Sequence, residues 1–257
     1  MKYNNGRYLE SKVVYLLDKT KIQDLNKEMR SFLRMIYGEL DDNEIVRCEI
    51  VDGFRKPDFY VEYQKIRKYI SLKTGDAHNL HEEFLETFID FLKSINVPEE
   101  ALNLFKFFFW GDGTIDGTSE KCFTMPEAKV KYPEKVKKFN QYFNSDTKLI
   151  NLIVRRITFE GRATDNVKAD YIFHYEEGQL PTVISKEQVW NYITSKSKEW
   201  FYIDNPHIGP LQFCQRNSNK KSKRYEFERL RVCFWWPRFV ADLKFMHKYY
   251  VDWHRKK

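Results

Sequence analysis

Glycine and proline are scarce, 10 and 8 among 257 residues, which excludes a fibrous or low-complexity chain. The four cysteines, Cys48, Cys122, Cys214 and Cys233, are widely scattered and form no CxxC pair. That argues against a disulfide framework or a structural zinc and for reduced thiols in a cytoplasmic protein. No apolar run reaches the length of a membrane span, and the opening MKYNNGRYLESK lacks the apolar core of a signal sequence, so no membrane association is expected. Neither GxxxxGKS/T nor a glycine-rich cofactor loop occurs, so no nucleotide cofactor is expected.

Aromatic residues are abundant instead, with 21 Phe, 16 Tyr and 6 Trp, enough for a large packed core beside 32% charged residues. The net charge of +7 fits a polyanionic partner.

Apolar periodicity predicts helices over 6–17 and 21–37, then three strands over 45–50, 59–63 and 69–73. An amphipathic helix is expected over 80–95, with Leu80, Phe84, Phe88, Phe91 and Ile95 on one face. Residues 101–110 read as helix or buried strand, and 133–156 as mostly helix with a break at 144–146. A hairpin over 169–175 and 180–184, a helix from 186 to about 196, a second hairpin over 208–215 and 225–236, and a last helix over 237–253 follow. This order predicts a single α/β or α+β domain with a mixed sheet flanked by helices and additional hairpins in the C-terminal part.

The segment KPDFYVEYQKIRKYISLK places Asp58 at the start of one strand and Lys73 at the end of its neighbour. Neighbouring strands lie roughly 5 Å apart, so they bring an acid and a lysine together readily. Phosphodiester hydrolysis asks for such a grouping. A divalent metal held by few hard oxygen ligands polarises the phosphate, and a lysine can orient the attacking water.

Pro57-Asp58, twelve intervening residues and Ser71-Leu72-Lys73 resemble the core of the PD-(D/E)xK nucleases, the scaffold of most restriction endonucleases. The resemblance covers 6 to about 90 and implies a restriction-endonuclease-like fold with Asp58 as metal ligand and Lys73 as catalytic lysine. Glu10, in GRYLESKVV, matches the glutamate that the preceding helix often carries in that family. The sequence departs from the pattern at Ser71, where the family usually has an acid. A branch of restriction enzymes that cut CCGG-containing sites shows a similar SxK, with the acid supplied from the next helix. Here HEEFLE offers three candidates. Spacing favours Glu86, helical phase favours Glu83, and Glu82 ranks third; Glu49 is a further candidate ligand. The arginine-rich target-reading motif of that branch is replaced by TGDAHNL.

The function implied is a Mg2+-dependent endonuclease acting on double-stranded DNA, of the type II restriction class and homodimeric. A non-catalytic DNA-binding protein on the same fold, a repair or structure-specific nuclease, and an RNA-directed enzyme remain open. The catalytic core is expected over about 6–95 and recognition elements over about 165–236. In RNSNKKSKRYEFERLR, Arg216 and Asn217 suit guanine and adenine edges, and Lys220, Lys221, Lys223 and Arg224 suit phosphates. His78 and His81 read as helix-capping or surface histidines within reach of a phosphate. FFFWGDGTIDG slightly resembles the LAGLIDADG signature, but its bulky aromatics suit a tight structural turn better.

Overall fold

A computed structural model describes residues 5–51, 56–75, 79–161, 167–200, 204–216, 221 and 223–254. The chain opens with helix α1 (Asn5–Leu17), a short 3-10 turn (Ile22–Asp24) and α2 (Lys27–Tyr37). Strands β1 (Arg47–Ile50), β2 (Phe59–Tyr63), β3 (Ile66–Lys73) and β4 (Asn79–Phe84) follow. Helices α3 (Leu85–Ser94), α4 (Glu99–Trp110), α5 (Met125–Lys131), α6 (Pro133–Asn144) and α7 (Thr147–Arg155) come next, the last running into a π-helical turn (Arg156–Glu160). Strands β5 (Tyr171–His174) and β6 (Thr182–Ser185) precede α8 (Lys186–Ser195) and α9 (Ser197–Trp200). The chain continues with β7 (Gln212–Gln215), α10 (Tyr225–Glu228), β8 (Arg231–Trp235) and α11 (Phe239–His254). Among the described residues, no helix is long and apolar enough to cross a membrane.

These elements form two compact units, each assembled from separated segments. The first comprises Met1–Ala77, Thr158–Asn191 and Phe239–Lys257. Its mixed five-stranded sheet has the order β1-β2-β3-β5-β6, with β3 and β5 parallel and the other neighbours antiparallel. Strand β2 alternates strictly, burying Phe59, Val61 and Tyr63. They pack with Ile70 and Leu72 of β3, with Val13 and Leu17 of α1, and with Met29, Phe32 and Leu33 of α2. Phe32 stacks on Phe173 of β5 with ring centroids 4.1 Å apart. Helix α2 starts at Asn26, whose side chain accepts a hydrogen bond from the Met29 amide at 2.8 Å.

Strand β3 begins three residues earlier than its apolar pattern predicts. Gln64 and Lys65 both take left-handed conformations (φ 48° and 65°). They form the two-residue turn whose twist matches its strands, so the ladder closes at Tyr63 and Ile66. The hairpin over 169–184 completes this sheet as β5 and β6.

The second unit comprises His78–Ile157 and Tyr192–Arg238 and contains the antiparallel sheet β4-β8-β7. Its core is aromatic. Phe105 of α4 stacks on Phe213 at 4.3 Å, and Phe88 of α3 lies 4.6 Å from Phe234. Most of α4 is buried on every side, and Gly111 closes it in a left-handed conformation. A Cβ at Gly111 would meet the Phe123 carbonyl oxygen at 2.8 Å, so glycine is required there. In the turn that follows, Asp112 accepts from Thr114 and Ser119, and Asp116 accepts from Thr118.

The helix expected over 80–95 requires correction. Its first residues form β4, pairing Glu82 with Cys233, Glu83 with Val232 and Phe84 with Arg231, and α3 starts only at Leu85. Leu80, Phe84 and Phe88 carry helical spacing, but strand β8 claims the early part through its ladder. Tertiary pairing overrides local periodicity here.

Candidate active site

Asp58 sits just before β2, and its main chain is fixed from both sides. Its amide donates to the Ile70 carbonyl at 2.9 Å and its carbonyl accepts from the Val51 amide at 3.0 Å. The carboxylate turns toward β3, where Oδ2 accepts the Leu72 amide at 2.6 Å. That amide lies between Ser71 and Lys73, so one short charge-assisted bond sets the acid against the SxK segment.

Glu10 joins this grouping from α1, on whose inner side Val13 and Leu17 are buried. Burial raises its carboxyl above the ordinary value, and the neighbouring charge of Asp58 raises it further; Lys73 and Arg7 pull it back. Two acids and a lysine, 63 residues apart in sequence, thus share one electrostatic environment in the first unit. Among the described residues, the Lys73 ammonium has no hydrogen-bond or ion-pair partner. Ser71 is fully buried, and among the described residues its Oγ has no hydrogen-bond partner.

One neighbour was not evident from the sequence. His174 of β5 lies in register with Lys73, is buried, and places Nε2 2.9 Å from the Gly75 carbonyl oxygen. The parallel pairing of β3 with β5 spans a hundred residues, and no local pattern signals it. Asp170 ties the same two strands, its carboxylate accepting from the Tyr69 amide at 2.9 Å. Glu49 pairs in register with Tyr60 on β1 and accepts a hydrogen bond from its hydroxyl. Burial, first, and that contact push the Tyr60 phenol up to about 12.

The acids expected to replace the one missing at Ser71 belong to the second unit. Glu83 faces the interior rather than flanking a helix and is fully buried. Arg156 grips it through Nε at 3.2 Å and Nη2 at 2.6 Å, and His81 Nε2 lies 3.2 Å away. Burial alone would raise its carboxyl, but His81 and Arg156 together hold it below the ordinary value. The helical-phase argument for Glu83 therefore fails, because the residue is on a strand and its carboxylate is already paired. Glu82, on the opposite face of β4, contacts Arg216 and Arg231. Glu86 is exposed in the first turn of α3. Among the described residues, no three His, Cys, Asp or Glu side chains form a ready-made metal cage.

Of the expected DNA contacts, Arg216 is engaged at Nε by Glu228 at 2.5 Å and at Nη1 by Glu82. Lys221, Lys223 and Arg224 lie in the turn before α10, while Asn217, Lys220 and His78 fall outside the described residues.

No family model and no curated protein matches the sequence. The fold is similar to a crystal structure of the restriction endonuclease MspI in complex with its cognate DNA, with a TM-score of 0.53 and 13% identity over 91% of this chain and 93% of that one. A five-stranded mixed sheet flanked by helices, matched over nearly the whole length of both chains, gives this protein a restriction-endonuclease-like fold.

Proposed function

We propose that the chain is a Mg2+-dependent endonuclease that cuts double-stranded DNA as a type II restriction enzyme does. The observation that carries the reading is the Asp58 carboxylate, at the start of β2, anchored on the Leu72 amide beside Lys73 at the end of β3, with Glu10 of α1 close enough to feel both charges, in a restriction-endonuclease-like fold.

The donor set suits magnesium, which takes one or two protein carboxylates and completes its shell with water and substrate phosphate. Asp58 and Glu10 would hold the ion; Asp58 keeps Oδ1 in hand while Oδ2 is anchored on Leu72. Bound there, the ion would polarise the phosphate and lower the pKa of the attacking water. Lys73 would orient that water and offset phosphate charge. The Ser71 Oγ can hydrogen-bond a water but cannot replace a carboxylate. In this reading Glu10 from α1 supplies the second acid, and Glu83 serves the stability of the second unit. Cutting both strands at a palindrome would bring two copies together about a two-fold axis.

Digestion of a fully sequenced phage genome with purified protein and Mg2+, followed by mapping of the ends, tests the proposal. Discrete ends at one short sequence are expected; undigested DNA would overturn it. The departure at Ser71 supports a second reading, a DNA-binding protein without cleavage. That reading would give retarded but intact duplex in the same preparation.

A further inference from the structure

The face of β4-β8-β7 turned away from the aromatic core carries Glu82 and Phe84 on β4, Arg231, Cys233 and Trp235 on β8, and Gln212 and Cys214 on β7, all partly exposed. The alternation is strict on β8, where Val232 and Phe234 point inward. Arg216 continues β7 and donates its amide to the Arg231 carbonyl at 2.9 Å, so two arginines stand side by side across the strands. Like charges placed so repel one another. Here Glu82 bridges them, contacting Nη1 of Arg216 and Nε of Arg231, the latter at 2.7 Å.

The two arginines differ in what remains free. Arg216 is held at both ends by Glu82 and Glu228. Arg231 forms an ion pair with Glu82 at Nε without hydrogen-bond geometry, and among the described residues its Nη1 and Nη2 have no hydrogen-bond partner. Its guanidinium also lies 5.6 Å from the centre of the Phe84 ring, which is itself braced edge-on by Phe227 at 4.8 Å. A planar fork of donors, neutralised from behind and set on an aromatic ring, is pre-organised for a planar pair of acceptors. The O6 and N7 edge of guanine is such a pair, and the major groove admits a β-ribbon.

Resting on the reading of the chain as a DNA nuclease, we infer that Arg231 reads a guanine in the major groove of duplex DNA, with Glu82 and Phe84 as the residues that position it. This reassigns guanine reading from Arg216, which acts as a second cation on Glu82.

The probe is a pool of duplexes with a randomised core, selected for binding in Ca2+ and sequenced. The wild-type protein should select a consensus containing a fixed guanine. Arg231→Gln should lose preference at that one base pair, by about tenfold to a hundredfold, and keep the others. Arg231→Lys keeps charge and stem but lacks the fork, and gives the same answer if Arg231→Gln does not fold. Glu82→Ala should weaken discrimination at the same base pair, and the double variant should be no worse than Arg231→Gln alone. An unchanged consensus in the Arg231 variants overturns the inference. Cleavage in Mg2+, scored on the same preparations, separates the two readings. A selected consensus without cleavage removes the nuclease and leaves the guanine contact standing. Cleavage without any consensus removes the guanine contact alone.

Discussion

The carboxylate of Asp58 accepts the backbone amide of Leu72 at 2.6 Å, so the acid is fastened to the strand that carries the lysine. Asp58→Ala loses this anchor and, under the proposed function, a metal oxygen as well, while Asp58→Asn keeps an acceptor for the amide. Both variants, and Lys73→Ala, should lower cleavage by about 100-fold or more. Binding to duplex in Ca2+ should persist, and Asp58→Asn should melt closer to wild type than Asp58→Ala. Wild-type cutting by any of the three in a plasmid assay contradicts the site.

Ser71 is buried and among the described residues its Oγ has no hydrogen-bond partner, so its hydroxyl is costly to the fold. Ser71→Ala should leave thermal stability unchanged or raise it, by up to about 1 kcal/mol, because no hydrogen bond is lost and a desolvated polar group is removed. Cleavage should fall only mildly. A large loss of activity with a raised melting temperature would mark the hydroxyl as an essential water contact.

Glu10 has its pKa raised by burial and by Asp58, so the folded protein binds a proton there more readily than the unfolded chain. The ionised form therefore destabilises the fold, and this penalty grows as pH rises from the ordinary carboxylate value of 4.5 through the raised value. Glu10→Gln should melt higher than wild type at pH 7, with the difference shrinking in acid, while cleavage drops sharply. Denaturation followed at several pH values checks the sign; a lower melting temperature at neutral pH would refute it.

Glu83 and Arg156 are a fully desolvated pair. Removing either partner should cost about 3–5 kcal/mol by stranding the other charge. Glu83→Ala should therefore fail by instability rather than by loss of a catalytic step. Replacing both with apolar residues should be much milder. Because the Glu83 carboxyl is held below its ordinary value, its contribution is present above 4.5 and is lost as pH falls through the lowered value. Urea titrations of the single and double variants decide the matter.

The basic turn makes a separable prediction. If Lys220, Lys221, Lys223 and Arg224 all neutralise phosphates, their joint replacement should reduce the slope of log K against log salt by about 3 to 4. It should weaken all duplexes alike, leaving the selected consensus intact. An unchanged slope would place the turn outside the DNA path.

Much of this protein was determined by sequence alone. Alternating apolar residues in FYVEY and the apolar run YISLK are enough to call for paired strands, and the helix stop at Gly38 and the break at 144–146 follow from backbone chemistry local to each, whereas α2, expected from 21, starts only at Lys27 behind Asn26. The nearness of Asp58 to Lys73 follows from a hairpin whose turn and register are short-range matters. Only the tertiary structure decided the rest. Whether Leu80–Phe84 coils or extends depends on β8, some 150 residues later, because an unpaired strand and a helical turn carry the same apolar residues there. Glu83 looked available as a metal ligand until Arg156 closed on it. Arg216 looked free to read a base until Glu82 and Glu228 took up its donors. The state of a charge depends on which partner reaches it and how much water remains, and long-range packing settles both.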